Sequence, residues 1–264
     1  MPTYLDAIVQ RTRRDLEARK RAVPVDDLKA RARDLPPPLD FAGALRAPGI
    51  QVIAEVKRAS PSRGAIAPDA DPVAVARAYA AAGAAAISVL TEEPHFNGRL
   101  DFLPAIKEGL DGPGPPLLRK DFIVEPYQVY ESRAYRADAL LLIVACLPDG
   151  ELEELLGLAR RLGLQCLVEA HTEDEARRAV DAGAEVIGIN NRDLSTFETS
   201  LETTRRVRPV IPQDRVIVSE SGIGSPEDVA CLAAWGVDAF LIGEALMTAA
   251  DPRARLREFL AAHD

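Results

Sequence analysis

The chain has 264 residues, 47% of them hydrophobic, and a net charge of −9. That length suits one large domain, and α/β barrels of roughly 200–250 residues commonly form one. The acidic balance argues against a nucleic-acid partner, which asks for a basic face, but not against a small anionic ligand needing only local positive groups.

Residues 1–30 are dense in Arg and Asp, unlike a signal peptide. The apolar run from Ala139 to Leu147 falls far short of the roughly 18 residues of a membrane span. The expectation is a cytoplasmic protein with no membrane partner. Cys146, Cys166 and Cys231 are odd in number, lack a CxxC pairing and lie in or beside apolar runs. They are expected as small buried thiols rather than disulfides or metal ligands. Only five lysines (Lys20, Lys29, Lys57, Lys107, Lys120) stand against 27 arginines, and only three asparagines occur (Asn97, Asn190, Asn191). Few Asn and Met with 20 prolines give a thermophile-like composition, although a GC-rich genome also favours Arg over Lys. Where such a chain keeps a Lys, a group that must give up a proton is a natural reason.

In chain order, Leu5, Ile8, Val9, Thr12 and Leu16 recur at three- and four-residue steps, an amphipathic helical face. Val25–Arg33 predicts a second short helix, stopped by Pro36-Pro37-Pro38. Residues 1–48 therefore read as a helical extension, either packing appendage or partial lid, over a barrel proper spanning 49–264. From residue 50 an apolar run, a polar or glycine-bearing turn and a helical pattern repeat eight times. The strand runs are 51–57, 86–91, 116–121, 139–145, 165–170, 185–190, 215–220 and 239–243. Helices are predicted at about 72–82, 100–110, 126–136, 150–162, 172–182, 200–208, 225–235 and 251–262. Asp71-Pro72, Ser225-Pro226 and Asp251-Pro252 are cap-then-proline helix starts, and Gly83, Gly163, Gly183 and Gly236 are helix stops. Continuous apolar strands alternating with helices imply a parallel sheet buried on both faces. Eight such units predict a closed (β/α)8 TIM barrel.

In that fold the C-terminal strand ends carry the site. Those ends present Glu55 and Lys57, Lys120, Glu169, Asn190 and Ser221. Alternation puts Glu55 and Lys57 on one face, Lys120 with Leu118 and Phe122, Glu169 with Leu167, and Asn190 with Gly188. Singly, each passes for a satisfied core group or a local ion pair. Six polar groups converging from five strands at one end favour a site. Ser221-Gly-Ile-Gly224 after the seventh strand and Gly243-Glu244 after the eighth occupy the two loops that often bind phosphate in such barrels. Glu244 is awkward beside a phosphate unless its side chain turns away. His95, His171 and His263 have no metal-ligand spacing, so no metal is expected. Trp235 is expected to pack rather than to bind.

Ile53-Ala-Glu-Val-Lys-Arg-Ala-Ser-Pro-Ser62, Leu90-Thr-Glu-Glu-Pro-His-Phe-Asn-Gly98, Leu117-Leu-Arg-Lys-Asp-Phe122, Leu167-Val-Glu169, Ile187-Gly-Ile-Asn-Asn-Arg-Asp-Leu194 and Val218-Ser-Glu-Ser-Gly-Ile223 together resemble the indole-3-glycerol phosphate synthase family. The resemblance spans the barrel and reaches the helical lead-in. It implies ring closure of 1-(2-carboxyphenylamino)-1-deoxyribulose 5-phosphate to indole-3-glycerol phosphate with loss of carbon dioxide and water. By position in the matching motifs, Lys120 would be the general acid and Lys57 would hold the substrate carboxylate, oriented by Glu55. Glu169 would serve dehydration, and Asn190 would hold a hydroxyl or an intermediate. Ser60, Ser221, Gly222, Gly243 and Glu244 would line the phosphate site, and Phe96, Phe122, Leu141 and Leu194 the aromatic pocket. Arg192 would face the substrate. No cofactor is expected, since rearomatisation drives the decarboxylation, and the assembly expected is a monomer or weak homodimer. A water-excluding pocket is expected to push the lysine pKa values down, with Glu55 opposing this for Lys57. Arg136 stands where the family usually has glycine, at the end of the barrel opposite the site. A phosphoribosylanthranilate isomerase would instead need a Cys/Asp pair, and a barrel that only binds would be expected to lose Lys120 and Glu169.

Overall fold

A computed structural model describes residues 4–262; His263 lies outside them. Eight parallel strands close into a barrel in which each strand pairs with its sequence neighbours and the last returns to the first. We label them β1 (Gln51–Val56), β2 (Ala86–Leu90), β3 (Leu117–Lys120), β4 (Ala139–Ile143), β5 (Gln165–Ala170), β6 (Val186–Asn190), β7 (Val216–Glu220) and β8 (Ala239–Ile242). Every predicted strand run contains one of them. The alternation also holds: Ile53, Leu118, Leu141, Leu167, Val186, Val218 and Leu241 form an inner cluster. Their neighbours Val52, Ile87, Leu140, Val168, Ile187 and Phe240 join the core beneath the helices. Each strand is thus buried on both faces, the reason its sequence runs apolar without a break.

The helices are α1 (Tyr4–Ala22), α2 (Val25–Arg33), α3 (Phe41–Leu45), α4 (Pro72–Ala82), α5 (Glu93–Phe96), α6 (Phe102–Gly109), α7 (Pro126–Ala134), α8 (Asp149–Arg161), α9 (Glu173–Asp181), α10 (Glu202–Val207), α11 (Pro226–Ala234), α12 (Glu244–Met247) and α13 (Pro252–Leu260). Asp71, Ser225 and Asp251 cap α4, α11 and α13 with their side chains, each with proline in the first helical turn. In the turn before β4, Arg136 adopts φ +67°, the left-handed region that favours glycine.

The extension straps the barrel from end to end. Ile8 of α1 joins the inner cluster at the site end. Leu16 and Leu28 pack against Val124 and Tyr127, and the Arg19 guanidinium pairs with Glu131 on α7. Phe41, Ala42 and Leu45 of α3 enter the inner cluster from the other mouth, where Ala42 N donates to Gln165 Oε1 at 2.9 Å. Asp138, just before β4, accepts from Leu39 N at 2.9 Å and Leu117 N at 2.7 Å, tying the extension and β3 to one carboxylate.

One expectation fails here. Cys166 is buried, but Cys146 is half-buried and Cys231 is exposed, because α11 turns Val229 and Leu232 inward and leaves Cys231 outside. Trp235 is partly buried against the helix-side core, with the Arg205 guanidinium 5.8 Å from its ring centre. Among the described residues no helix is long and apolar enough to cross a membrane.

Candidate active site

Inward positions at the ends of β1, β3, β5, β6 and β7 bring five ionisable side chains and an amide into one pocket. Lys120 Nζ donates to Glu169 Oε2 at 3.0 Å and to Glu220 Oε2 at 2.5 Å. Lys57 Nζ lies 2.8 Å from Glu55 Oε1, and the second oxygen of Glu55 accepts from Ser88 Oγ at 3.4 Å. Asn190 Nδ2 donates to Glu169 Oε1 at 2.9 Å, and its own Oδ1 accepts from Arg192 N at 3.0 Å. The three carboxyl groups and Asn190 are buried. Two ammonium groups therefore face three carboxyl groups in a place water scarcely reaches.

That imbalance sets the protonation states. Burial alone would lower Lys120, but Glu169, Glu220 and Glu55 together hold it well above the ordinary lysine range. The expectation of a depressed pKa is thus corrected for Lys120: the surrounding acidic groups outweigh the dryness. Burial would raise Glu55, yet Lys57 and Lys120 hold it below the usual carboxylate range. Glu220 goes the other way, pushed up to about 8 by burial and by the neighbouring charges of Glu169 and Glu55, against the pull of Lys120. Its second oxygen, Oε1, is buried and has no hydrogen-bond partner among the described residues.

Glu220 was not singled out in the sequence, although it stands inside a quoted motif. Its signal was parity: two residues beyond inward Val218, it pairs in register with Asn190. Gly188 makes its room, since a Cβ there would run into Glu220 Oε1.

The rest of the pocket divides by character. Phe96, Phe122, Leu141, Ile143 and Leu194 form an apolar wall, with the rings of Phe96 and Phe122 6.4 Å apart. Glu92 fixes Phe96 by capping α5: its Oε2 accepts from His95 N at 2.7 Å and Phe96 N at 3.1 Å. Tyr4, Leu5 and Ile8 of α1 close the mouth, Tyr4 lying edge-on to His95 and Phe197. The opposite wall is polar, with Ser60, Ser62, Ser221, Gly222, Gly243 and Glu244. Ser221 and Gly222 are both left-handed, at φ +69° and +78°, a conformation that strains serine by about 1–3 kcal/mol. Buried Asn191 holds the bend, donating from Nδ2 to Ser221 O and Ser219 Oγ at 3.0 Å each. Arg192 reaches from this side to Ser62 Oγ at 2.9 Å. The Glu244 side chain stays at this wall and is paired, its Oε1 2.6 Å from Arg63 Nη2. Every residue singled out in the sequence for the site therefore lines this single pocket. Among the described residues no cluster of His, Cys, Asp and Glu could hold a metal ion.

A closed (β/α)8 barrel with a cluster of acidic and basic groups at the C-terminal strand ends has the architecture of a barrel enzyme. Solved structures agree on the fold alone. Thiamine phosphate pyrophosphorylase from Pyrococcus furiosus superposes with a TM-score of 0.60 over 84% of this chain and 97% of its own, at 19% identity. A 3-hexulose-6-phosphate synthase does so at 0.61 over 81% and 99%, at 14% identity. Sequence relatives are far nearer. The indole-3-glycerol phosphate synthase family profile matches residues 5–259. Indole-3-glycerol phosphate synthases from Roseiflexus sp. (strain RS-1) and Mycolicibacterium vanbaalenii are 52% and 51% identical, covering 98% of this chain and 98% and 94% of their own. The chain belongs to the indole-3-glycerol phosphate synthase family.

Proposed function

We propose that this pocket carries out the family's ring closure. In that step of tryptophan biosynthesis, 1-(2-carboxyphenylamino)-1-deoxyribulose 5-phosphate becomes indole-3-glycerol phosphate with loss of carbon dioxide and water. One observation carries the reading: Lys120 stands between Glu169 and Glu220, facing the Lys57–Glu55 pair across a pocket with one aromatic and one polar wall. The substrate has the same polarity, an aryl ring at one end and a phosphate at the other.

Lys120 gives its proton to the ketone oxygen as the aryl carbon attacks the ketone carbon, so no alkoxide builds up. Its carboxylate neighbours keep it charged before the reaction. They also make it a weak acid, so the substrate oxygen must take the place of one of them at Nζ for the proton to move. Glu220, when protonated, is the neighbour that holds Lys120 least. Lys57, positioned by Glu55, holds the substrate carboxylate until the bond to the ring breaks and the electron pair restores aromaticity. In the dehydration Glu169 takes a proton from the ring carbon beside the nitrogen. The neighbouring hydroxyl is protonated by Lys120, once that lysine has regained a proton from solvent, and leaves as water. Asn190 orients Glu169 and holds that hydroxyl. Ser60, Ser221, Gly222, Gly243 and Glu244 bind phosphate through hydroxyl and backbone N–H groups, with Arg192 nearby. Residues 4–48 serve as one unit with the barrel, their first helix covering the mouth and α3 plugging the base.

Indole fluorescence after mixing with the carboxyphenylamino ribulose phosphate tests the reaction; no signal at micromolar enzyme would refute it. Lys120→Ala is expected to lower kcat by about 10³-fold, within the usual range for a positioned acid, while substrate binding stays measurable. A loss under about tenfold, or ~1.4 kcal/mol, would remove Lys120 from that role.

A further inference from the structure

We infer that Arg63 sets affinity at the phosphate end of the pocket by holding and neutralising Glu244, a positioning role exerted through Glu244. The inference rests on the phosphate reading of that end given above. Glu244 places a carboxylate on the wall built by Ser60, Ser221, Gly222 and Gly243. A phosphate ester carries about −1.5 to −2 charges at neutral pH, so an unpaired carboxylate there would repel it. The cations nearby are committed elsewhere: Lys57 to Glu55, and Arg192 to Ser62 and Thr199. Arg63 is the cation paired with Glu244, at 2.6 Å.

Arg63 is held on a small hairpin that aims it across the wall. Ala59–Ser60 pairs antiparallel with Gly64–Ala65, and Gly64 takes the left-handed turn at φ +68°. Arg63 N donates to Ser60 O and to Ser60 Oγ, both at 3.3 Å. The base is pinned by Arg58, whose Nε donates to Ala70 O at 2.9 Å and whose guanidinium lies 4.7 Å from the Phe102 ring centre. Arg63 itself is exposed. Exposed ion pairs add little to folding stability, so the consequence of this one falls on the ligand.

The test is steady-state kinetics of Arg63→Ala, Glu244→Gln and the double variant, with inorganic phosphate as a competing probe. Arg63→Ala is expected to raise KM about tenfold, or ~1.4 kcal/mol, and to weaken inhibition by phosphate in parallel, with kcat within about twofold. Adding Glu244→Gln should restore both constants, because the charge that Arg63 cancelled is gone. An unchanged KM in Arg63→Ala, a loss confined to kcat, or failure of the double variant to recover would overturn the inference. Matching Tm values for the variants and the parent are expected, and a large drop in Arg63→Ala would make the residue structural instead. A parent protein that forms no indole product refutes the function itself, whereas an active parent with an indifferent Arg63→Ala refutes only this proposal.

Discussion

Glu220 and Gly188 show what a single position contributes and where reading along the chain stops. Parity along a strand located Glu55, Lys57, Lys120, Glu169 and Asn190, because alternation is a local property. What Lys120 experiences is not local: its partners lie 49 and 100 residues away in sequence. The direction of its pKa therefore depended on a count of carboxylates that only barrel closure supplies. The absent side chain at Gly188 is similarly explained only by the Glu220 carboxyl that fills the space. Gly188→Ala should displace that carboxyl from Lys120. We expect kcat to fall by about 10–100-fold, with an overpacking cost of about 1–3 kcal/mol, read by kinetics beside denaturant unfolding. Unchanged kcat would mean that the placement of Glu220 does not matter to turnover.

At the scale of elements, the barrel strands and the helices between them were legible because each carries its own periodicity, and several helices also have capping residues. α3, α5 and the Arg63 hairpin were not. α3 has five residues and α5 four, too few for a helical period to repeat, and their positions come from contacts made elsewhere. α3 is fixed by Gln165 and the barrel base, and α5 by the Glu92 cap. The turn after α7 was legible in part: Arg136 stood out where the family usually has glycine, but the predicted helix ran through residue 136, whereas α7 ends at Ala134. Arg136 occupies left-handed space, where an L-residue loses about 1–2 kcal/mol relative to glycine, and its contact with Glu108 is a 3.5 Å exposed pair that offsets little. Arg136→Gly should therefore raise Tm by a few degrees for about 1 kcal/mol without altering kcat or KM. A fall in Tm would show that the Glu108 pair or chain entropy outweighs the strain.

For the whole molecule, the two ends of the barrel matter together. α1 lines one mouth and α3 fills the other, and burial of the cluster's three carboxyl groups couples its protons to folding. Glu220 is the group through which this coupling acts in an accessible range. The folded chain keeps its proton to about pH 8, whereas an unfolded one releases it near 4.5. Between those values the folded state binds more protons, so stability contributed by Glu220 is complete below about 4.5 and is lost as pH rises through about 8. Glu55, held low, acts in the opposite sense and below that window; Lys120, held high, acts above it. Glu220→Gln keeps the shape of the protonated acid without its titration. Urea unfolding at pH 5, 6.5 and 8.5 should show the parent losing stability with rising pH, on the order of a few kcal/mol, and the variant losing much less. Equal slopes for the two proteins would mean that Glu220 is ionised in the folded state across this range, and that another group completes the charge balance around Lys120.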